Sequence, residues 1–543
     1  TPRLAENVKS WGDKIPDDEE CKELKENLAN QEKLKHALNL NQLGMFEDLR
    51  KILPEAWRSL TMAASEKQLA SIALLRRWAN ELTSADLERM EIKKEELDLL
   101  LDAGAILGKY VDQAHIKQIE LADLPGGSEE TKYGEKLGAE SIYDLYKEGT
   151  DEVDLKTYSE VFPFEWPKIV KRLETLAAKA SRLIEEEKLP SSYEQFPNYL
   201  KKMALVYGSP ETNFKSLDKM WDELYEEDRK LSEAGCPLLI ISQGTSDTTG
   251  EAGKVDTEIR IGFRTKKTRE LDELFDDFKK IAQEEINKNK DCLNKLYQTP
   301  AVVTNIQLFA FGPNLYWMTR GQEGKDTILI HANTVADVAL SREMPLTEKV
   351  FPAEKISQED FKQAMLIETG LHEIGHTILL FDDKKINKRL GNSSQASIIE
   401  ELKAETMGME LLRKKLNENN NNYKNIKKNQ FLAKLGTLSD YLANKSSETA
   451  SSGEPYYYSA VVIINKLLSE GIIKEGPDGY EITDVDKGIE IIGALGNFIL
   501  NNFYANKDSK PKNVKEFINE QKKNAKSEQM KKFIAKIKKV KLL

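Results

Sequence analysis

From about residue 15 to 235, apolar residues recur three and four positions apart within long charged stretches, the spacing of amphipathic helices; 66–82 and 166–187 are clear examples. The period then changes. Residues 237–242 form a short apolar run and 257–263 alternate apolar with polar, both marks of strands, with a Gly/Thr/Ser turn at 243–254 between them. Helical spacing returns at 271–289, strands follow at 301–310 and 327–330, and from about 357 onward the pattern is helical. The Asn-rich stretch 417–429 has too little apolar content to be buried and reads as a loop between helices. Beyond Lys507 lysines dominate, while Phe533, Ile534, Ile537 and Val540 make one stripe, the pattern of a terminal helix docked with its lysines in water. The pattern predicts an α+β chain that is mainly α-helical, with a small β-core.

Composition narrows the class. At 543 residues the chain is long enough for two or more domains, and 40% hydrophobic with 31% charged residues is an ordinary globular balance. No apolar run approaches the roughly 20 residues needed to cross a bilayer, so no stable membrane insertion is expected. A net charge of −11 argues against a nucleic-acid partner. Three cysteines, an odd number, do not suit a disulfide framework and fit a reducing compartment, so the expected location is the cytoplasm. The chain begins at Thr1 rather than Met, from which a trimmed upstream segment is expected, and a periplasmic or secreted protein is the alternative.

One short stretch carries chemistry. His372-Glu373-Ile374-Gly375-His376 is an H-E-x-x-H sequence, and it lies in a segment with helical periodicity: Ser357-Gln358-Glu359-Asp360 reads as a capping box, followed by Phe361, Met365, Leu371, Ile374 and Ile378. A helix over 358–380 follows. Residues four apart share a helix face, so both imidazoles can reach one zinc ion, and Glu373 beside them can hold the water that the metal polarises. A catalytic zinc takes three protein ligands and keeps one position open. Three sources for the third ligand compete. A sharp turn after the helix would deliver Asp382, but the Gly that such a turn uses is replaced by Leu379, so the helix is expected to run on. Cys21, Cys236 and Cys292 are scattered and form no C-x-x-C pair. What remains is a carboxylate from a second helix. After a polar loop at 391–396, helical spacing resumes at Ser397, and Glu401 and Glu405 share a face there, so that one can bind the metal while the other hydrogen-bonds an imidazole.

These residues resemble the dipeptidyl peptidase III family. The H-E-x-x-H stretch followed by Glu400-Glu401-Leu402-Lys403-Ala404-Glu405 is similar to that family's paired signatures, the second of which reads E-E-x-[RK]-A-E. The resemblance covers about 372–405, and a weaker similarity extends over 456–471. It implies one Zn2+ per chain held by His372, His376 and Glu401, with Glu373 as general base and Glu400 and Glu405 supporting the histidines. It also implies two lobes facing a wide cleft: 1–264 as a mixed lobe completed by strands within about 297–345, and 265–543 as a mostly helical zinc-binding lobe. The implied activity is hydrolysis of bound peptides, with release of dipeptides from the N-terminus.

Several positions depart from the family pattern. Most members carry a six-residue H-E-x-x-G-H; the four-residue spacing here matches the shorter form of some bacterial members. The 24-residue spacer 377–400 is short. Where the family has a His and an Arg four residues later, this chain has Tyr456 and Ala460, and no Tyr occurs near 242–249, where a catalytic one would fall. Tyr456 is the candidate to stabilise the oxyanion, since a phenol donates a hydrogen bond. Asn333 corresponds to an asparagine that binds the substrate backbone. His331, at a strand end, reads as a structural polar group. The departures leave a second expectation beside the peptidase: a peptide-binding relative that keeps the zinc site with weakened turnover.

Overall fold

A computed structural model of the chain describes residues 57–122, 143–146, 153–156, 162–209, 214–242, 259–292, 298–311, 321–322, 327–379, 388–391, 393–417, 424–444, 454–524 and 526–541. It is mainly helical with small sheets and divides into two compact units, Thr1–Lys266 with Ile306–Met318, and Lys267–Asn305 with Thr319–Leu543. Of the strands within 297–345, expected in the first lobe, residues 306–311 fall in the first unit and 301–305 and 327–331 in the second.

In the first unit, helices α1 (Trp57–Ala79), α2 (Ser84–Arg89) and α3 (Lys94–Ala122) precede a hairpin of β1 (Tyr143–Tyr146) and β2 (Val153–Lys156). Three more helices follow, α4 (Trp166–Glu185), α5 (Phe196–Tyr207) and α6 (Phe214–Glu233). The 66–82 periodicity thus belongs to a helix that starts earlier and stops at Ala79, before Thr83 caps α2. Helix α4 shows how pattern becomes packing: Trp166, Ile169, Leu173, Leu176, Ala177, Ala180 and Leu183 line one buried face at three- and four-residue spacing, each large side chain contributing about 1.5–3 kcal/mol of burial. Strand β3 (Leu238–Ser242) pairs antiparallel with β4 (Ile259–Phe263), and β4 pairs antiparallel with residues 306–311 of β5 (Ala301–Phe311). The predicted turn at 243–254 lies outside the described residues.

The second unit starts with α7 (Lys266–Lys288) and residues 301–305 of β5, which pair in parallel with β7 (Thr327–His331); β6 (Gly321–Gln322) lines the other side of β7. Then come α8 (Ala332–Val338), a π-helical turn Ala339–Glu343 and α9 (Met344–Val350). The helices α10 (Gln358–Thr377), α11 (Ser393–Asn417), α12 (Lys424–Asn444) and α13 (Glu454–Ser469) form the heart of the core. Helix α11 begins before the predicted Ser397, and α12 takes up the second half of the Asn-rich stretch.

The region after 357 is not helical throughout. A hairpin of β8 (Ile473–Glu475) and β9 (Tyr480–Ile482) turns through Gly476-Pro477-Asp478-Gly479, closed by the Gly476 N–H donating to Gly479 O at 2.8 Å. Helix α14 (Val485–Ile499), a π-helical turn Leu500–Tyr504, α15 (Pro511–Asn524) and α16 (Glu528–Lys541) complete the chain. The terminal helix docks as expected from its stripe: Met530, Phe533 and Ile537 are buried, and Phe533 lies 4.8 Å from Tyr480 and 6.3 Å from Phe351 between ring centroids. No helix among the described residues is long and apolar enough to cross a membrane.

Candidate metal centre

Helix α10 carries His372, Glu373 and His376 in its last turns. Ser357 caps its start, its hydroxyl accepting from Asp360 N at 3.1 Å while donating to the Asp360 carboxylate at 2.6 Å. The predicted continuation to 380 does not occur. The helix stops at Thr377, and Leu379 takes a left-handed conformation, φ 55°, as a Gly would. That geometry costs a non-glycine residue about 1–2 kcal/mol, offset here by complete burial of the leucine. Asp382, the ligand such a turn would deliver, lies outside the described residues.

Helix α11 crosses α10 at contact distance. Gly375 of α10 lies against the α11 backbone, where a Cβ would sit 2.6 Å from Ala404 O and 2.9 Å from Ala404 Cα; Gly408 of α11 faces Leu371 in the same way, at 3.0 Å. Two glycines, one on each helix, let the backbones meet. This approach carries Glu401 to the histidines. Its Oε2 lies 3.4 Å from His372 Nε2 and 3.6 Å from His376 Nε2, and the two nitrogens are 3.1 Å apart. Atoms about 2.0–2.2 Å from one tetrahedral ion stand about 3.3–3.6 Å from each other. Glu401 Oε2 is also buried without a hydrogen-bond partner. The donor set fits a divalent cation, and the C-terminal end of the α10 dipole adds to its attraction for positive charge.

The supporting shell is built from charge. His372 Nδ1 lies 3.1 Å from Glu405 Oε1. The other Glu405 oxygen meets the ammonium of Lys434, which also holds Glu368 at 2.6 Å. Glu400 reaches the histidine segment through Lys403. It accepts from Lys403 at 2.7 Å and from the Tyr504 hydroxyl at 2.5 Å, and Lys403 in turn donates to the His376 carbonyl at 3.0 Å, capping the end of α10. The Lys403 ammonium also lies 4.7 Å over the Tyr504 ring. Glu400 therefore acts on the histidine segment through the backbone.

Electrostatics follow the geometry. Burial pulls the His372 imidazolium down, but the carboxylates of Glu405 and Glu401 outweigh it and hold its pKa well above the ordinary value. Burial pushes Glu401 up, and the charges of the adjacent His376 and His372 overcome it, leaving a pKa of about 2. The field that favours a dication thus favours a proton as well. Below its raised pKa, His372 holds a proton that a metal must displace, so divalent-cation affinity should climb, by up to about tenfold per pH unit, as pH rises toward that pKa. Chelator-competition titrations at rising pH test this; a flat profile would contradict it.

Tyr456, on α13, is half-buried beside Glu401, with its ring 5.0 Å from that of Tyr441. The charge of Glu401, burial and the charge of Glu373 hold its phenol well above the usual value, and it donates a hydrogen bond to Glu401. Ala460, one turn on, is fully buried in the core. Asn333 lies in the first turn of α8, which packs against α10 as β7 does. His331 is buried with Nδ1 2.9 Å from Asn305 Oδ1, the satisfied polar group expected of it. Sequence reasoning missed Lys434, Glu368 and Tyr504. Glu368 precedes His372 by one turn on the same face, and Lys434 interrupts the apolar run Phe431-Leu432-Ala433, so both left a local sign. Tyr504 left none.

No protein-family model and no curated protein matches the chain. Among solved structures it is similar to dipeptidyl peptidase III from Caldithrix abyssi, with a TM-score of 0.54 and 14% identity over 96% of this chain and 93% of that one. It is also similar to dipeptidyl-peptidase III from Corallococcus sp. strain EGB, with a TM-score of 0.53 and 13% identity over 88% and 91%. The chain has a dipeptidyl peptidase III-like fold.

Proposed function

We propose that this chain is a zinc-dependent peptidase that hydrolyses peptide bonds and takes dipeptides from the N-terminus of its substrates. The observation that carries the reading is the spacing of three donor atoms, His372 Nε2, His376 Nε2 and Glu401 Oε2, at 3.1–3.6 Å, with a carboxylate next in the chain. The fold likeness supports the narrower statement about dipeptides. In this reading His372, His376 and Glu401 hold the ion. When bound, zinc supplies Lewis-acid polarisation of water and of the scissile carbonyl. Glu373, half-exposed on α10, takes the proton of the attacking water and passes it to the leaving amine. Tyr456 keeps its phenolic proton at neutral pH and serves as donor to the developing oxyanion. Asn333 contacts the substrate backbone.

A mixed peptide library incubated with Zn2+ or with chelator, and read by mass spectrometry, tests the proposal. Chelator-sensitive appearance of N-terminal dipeptides is the expected result. Saturable peptide binding without products would instead support a binding protein with an idle zinc site, the reading favoured by the buried Ala460 at the position where the resemblance places an arginine.

A further inference from the structure

Lys434 is a charge in a helical stretch that has no solvent side. Residues 430–440 of α12 are buried all round, and the Lys434 side chain is 2% exposed. Its ammonium sits between two carboxylates equally cut off from water, Glu368 at 2.6 Å on α10 and Glu405 on α11. Glu368 lies one turn before His372, and Glu405 one turn after Glu401, so a third helix ties together the two that carry the metal donors. Desolvating three charges costs several kcal/mol each, and apolar side chains would fill the same volume without that cost. The arrangement has a use in the orientation of Glu405.

We infer that Lys434 is a positioning residue for the metal centre: by engaging Glu405 Oε2 it aims Oε1 at His372 Nδ1 and so turns the bare Nε2 of His372 toward the ion. An imidazole has two nitrogens, and one that donates from Nδ1 to a carboxylate keeps the Nε2 lone pair for a metal. Glu368 contributes the second negative charge that lets the ammonium be buried as part of a compensated cluster, with burial drawing its pKa down and the two carboxylates raising it above the ordinary lysine value. This inference rests on the zinc reading of the site, and its test separates the two.

The experiment measures Zn2+ affinity by chelator competition and the melting temperature of the metal-free protein for wild type, Glu368→Gln, Lys434→Met and the double variant Lys434→Met/Glu368→Gln. The double variant removes one charge of each sign, which preserves the balance of the cluster while taking away the grip on Glu405. It should fold and bind Zn2+ about 10- to 100-fold more weakly than wild type, whereas Glu368→Gln, with the Lys434–Glu405 contact kept, should stay within about threefold. A folded double variant with wild-type affinity overturns the inference, as does an equal loss in Glu368→Gln. If neither Met-containing protein folds, Lys434 serves the fold alone and the inference also fails. A wild-type protein that takes up no stoichiometric Zn2+ refutes the peptidase reading instead.

Discussion

Glu373→Ala should retain one Zn2+ per chain and lose at least about 10³-fold in peptide turnover, a loss of roughly 4 kcal/mol of transition-state stabilisation. Positions 372 and 376 share one face of α10, while Glu373 is turned about 100° from His372, beside the metal donors without being one of them. It remains half-exposed, open to water and substrate, and its charge reaches the Tyr456 phenol, which places base and proposed oxyanion donor in one neighbourhood. The loss should fall on kcat, because a general base acts only as the proton moves. Steady-state kinetics on one peptide, with metal analysis of the same sample, decide the point. Unchanged turnover removes Glu373 from the mechanism, and loss of the metal together with activity would make it a structural member of the site.

Gly375→Ala should destabilise the fold by about 1–3 kcal/mol and weaken Zn2+ binding by about tenfold or more. The new methyl group would meet backbone, Ala404 O at 2.6 Å and Ala404 Cα at 2.9 Å, and backbone cannot rotate away as a side chain does. Restoring ordinary contact at 3.4 Å moves the helices apart by about 0.8 Å (3.4 less 2.6). That separation opens the distances that join Glu401 to the histidines, now 3.4 and 3.6 Å, so stability and metal affinity should fall together. Gly408→Ala, whose methyl group would approach Leu371 only to 3.0 Å, should give the smaller effect of the pair. Thermal denaturation with and without chelator, alongside metal titration, reads both quantities; a variant as stable and as tight-binding as wild type would show that the close crossing is not what brings the ligands together.

The helices around the site were legible because their signals are local. Ser357 at the cap and the apolar residues that follow define α10, and the two histidines fall on one face of it for the same reason. The β8–β9 hairpin, by contrast, was hidden inside a stretch read as helical, although Pro477-Asp478-Gly479 is a turn sequence: strands of three residues are too short for their alternation to stand out. The end of α10 was misjudged because Leu379 adopts a backbone conformation that its own side chain disfavours, and only the core around it makes that conformation affordable.

By itself the sequence determined that a two-histidine helix and an acidic helix exist and which residues share a face on each, since helical periodicity needs no information beyond the neighbouring turns. Which carboxylate faces which group across the helices was decided by tertiary structure alone: Glu401 Oε2 toward both Nε2 atoms, Glu405 toward His372 Nδ1, Glu400 toward Tyr504. So was the placement of the Lys434 ammonium among them. What stands opposite a helix face is supplied by segments distant in the chain, and the desolvation and pairing of charge that fix it arise only once those segments have packed.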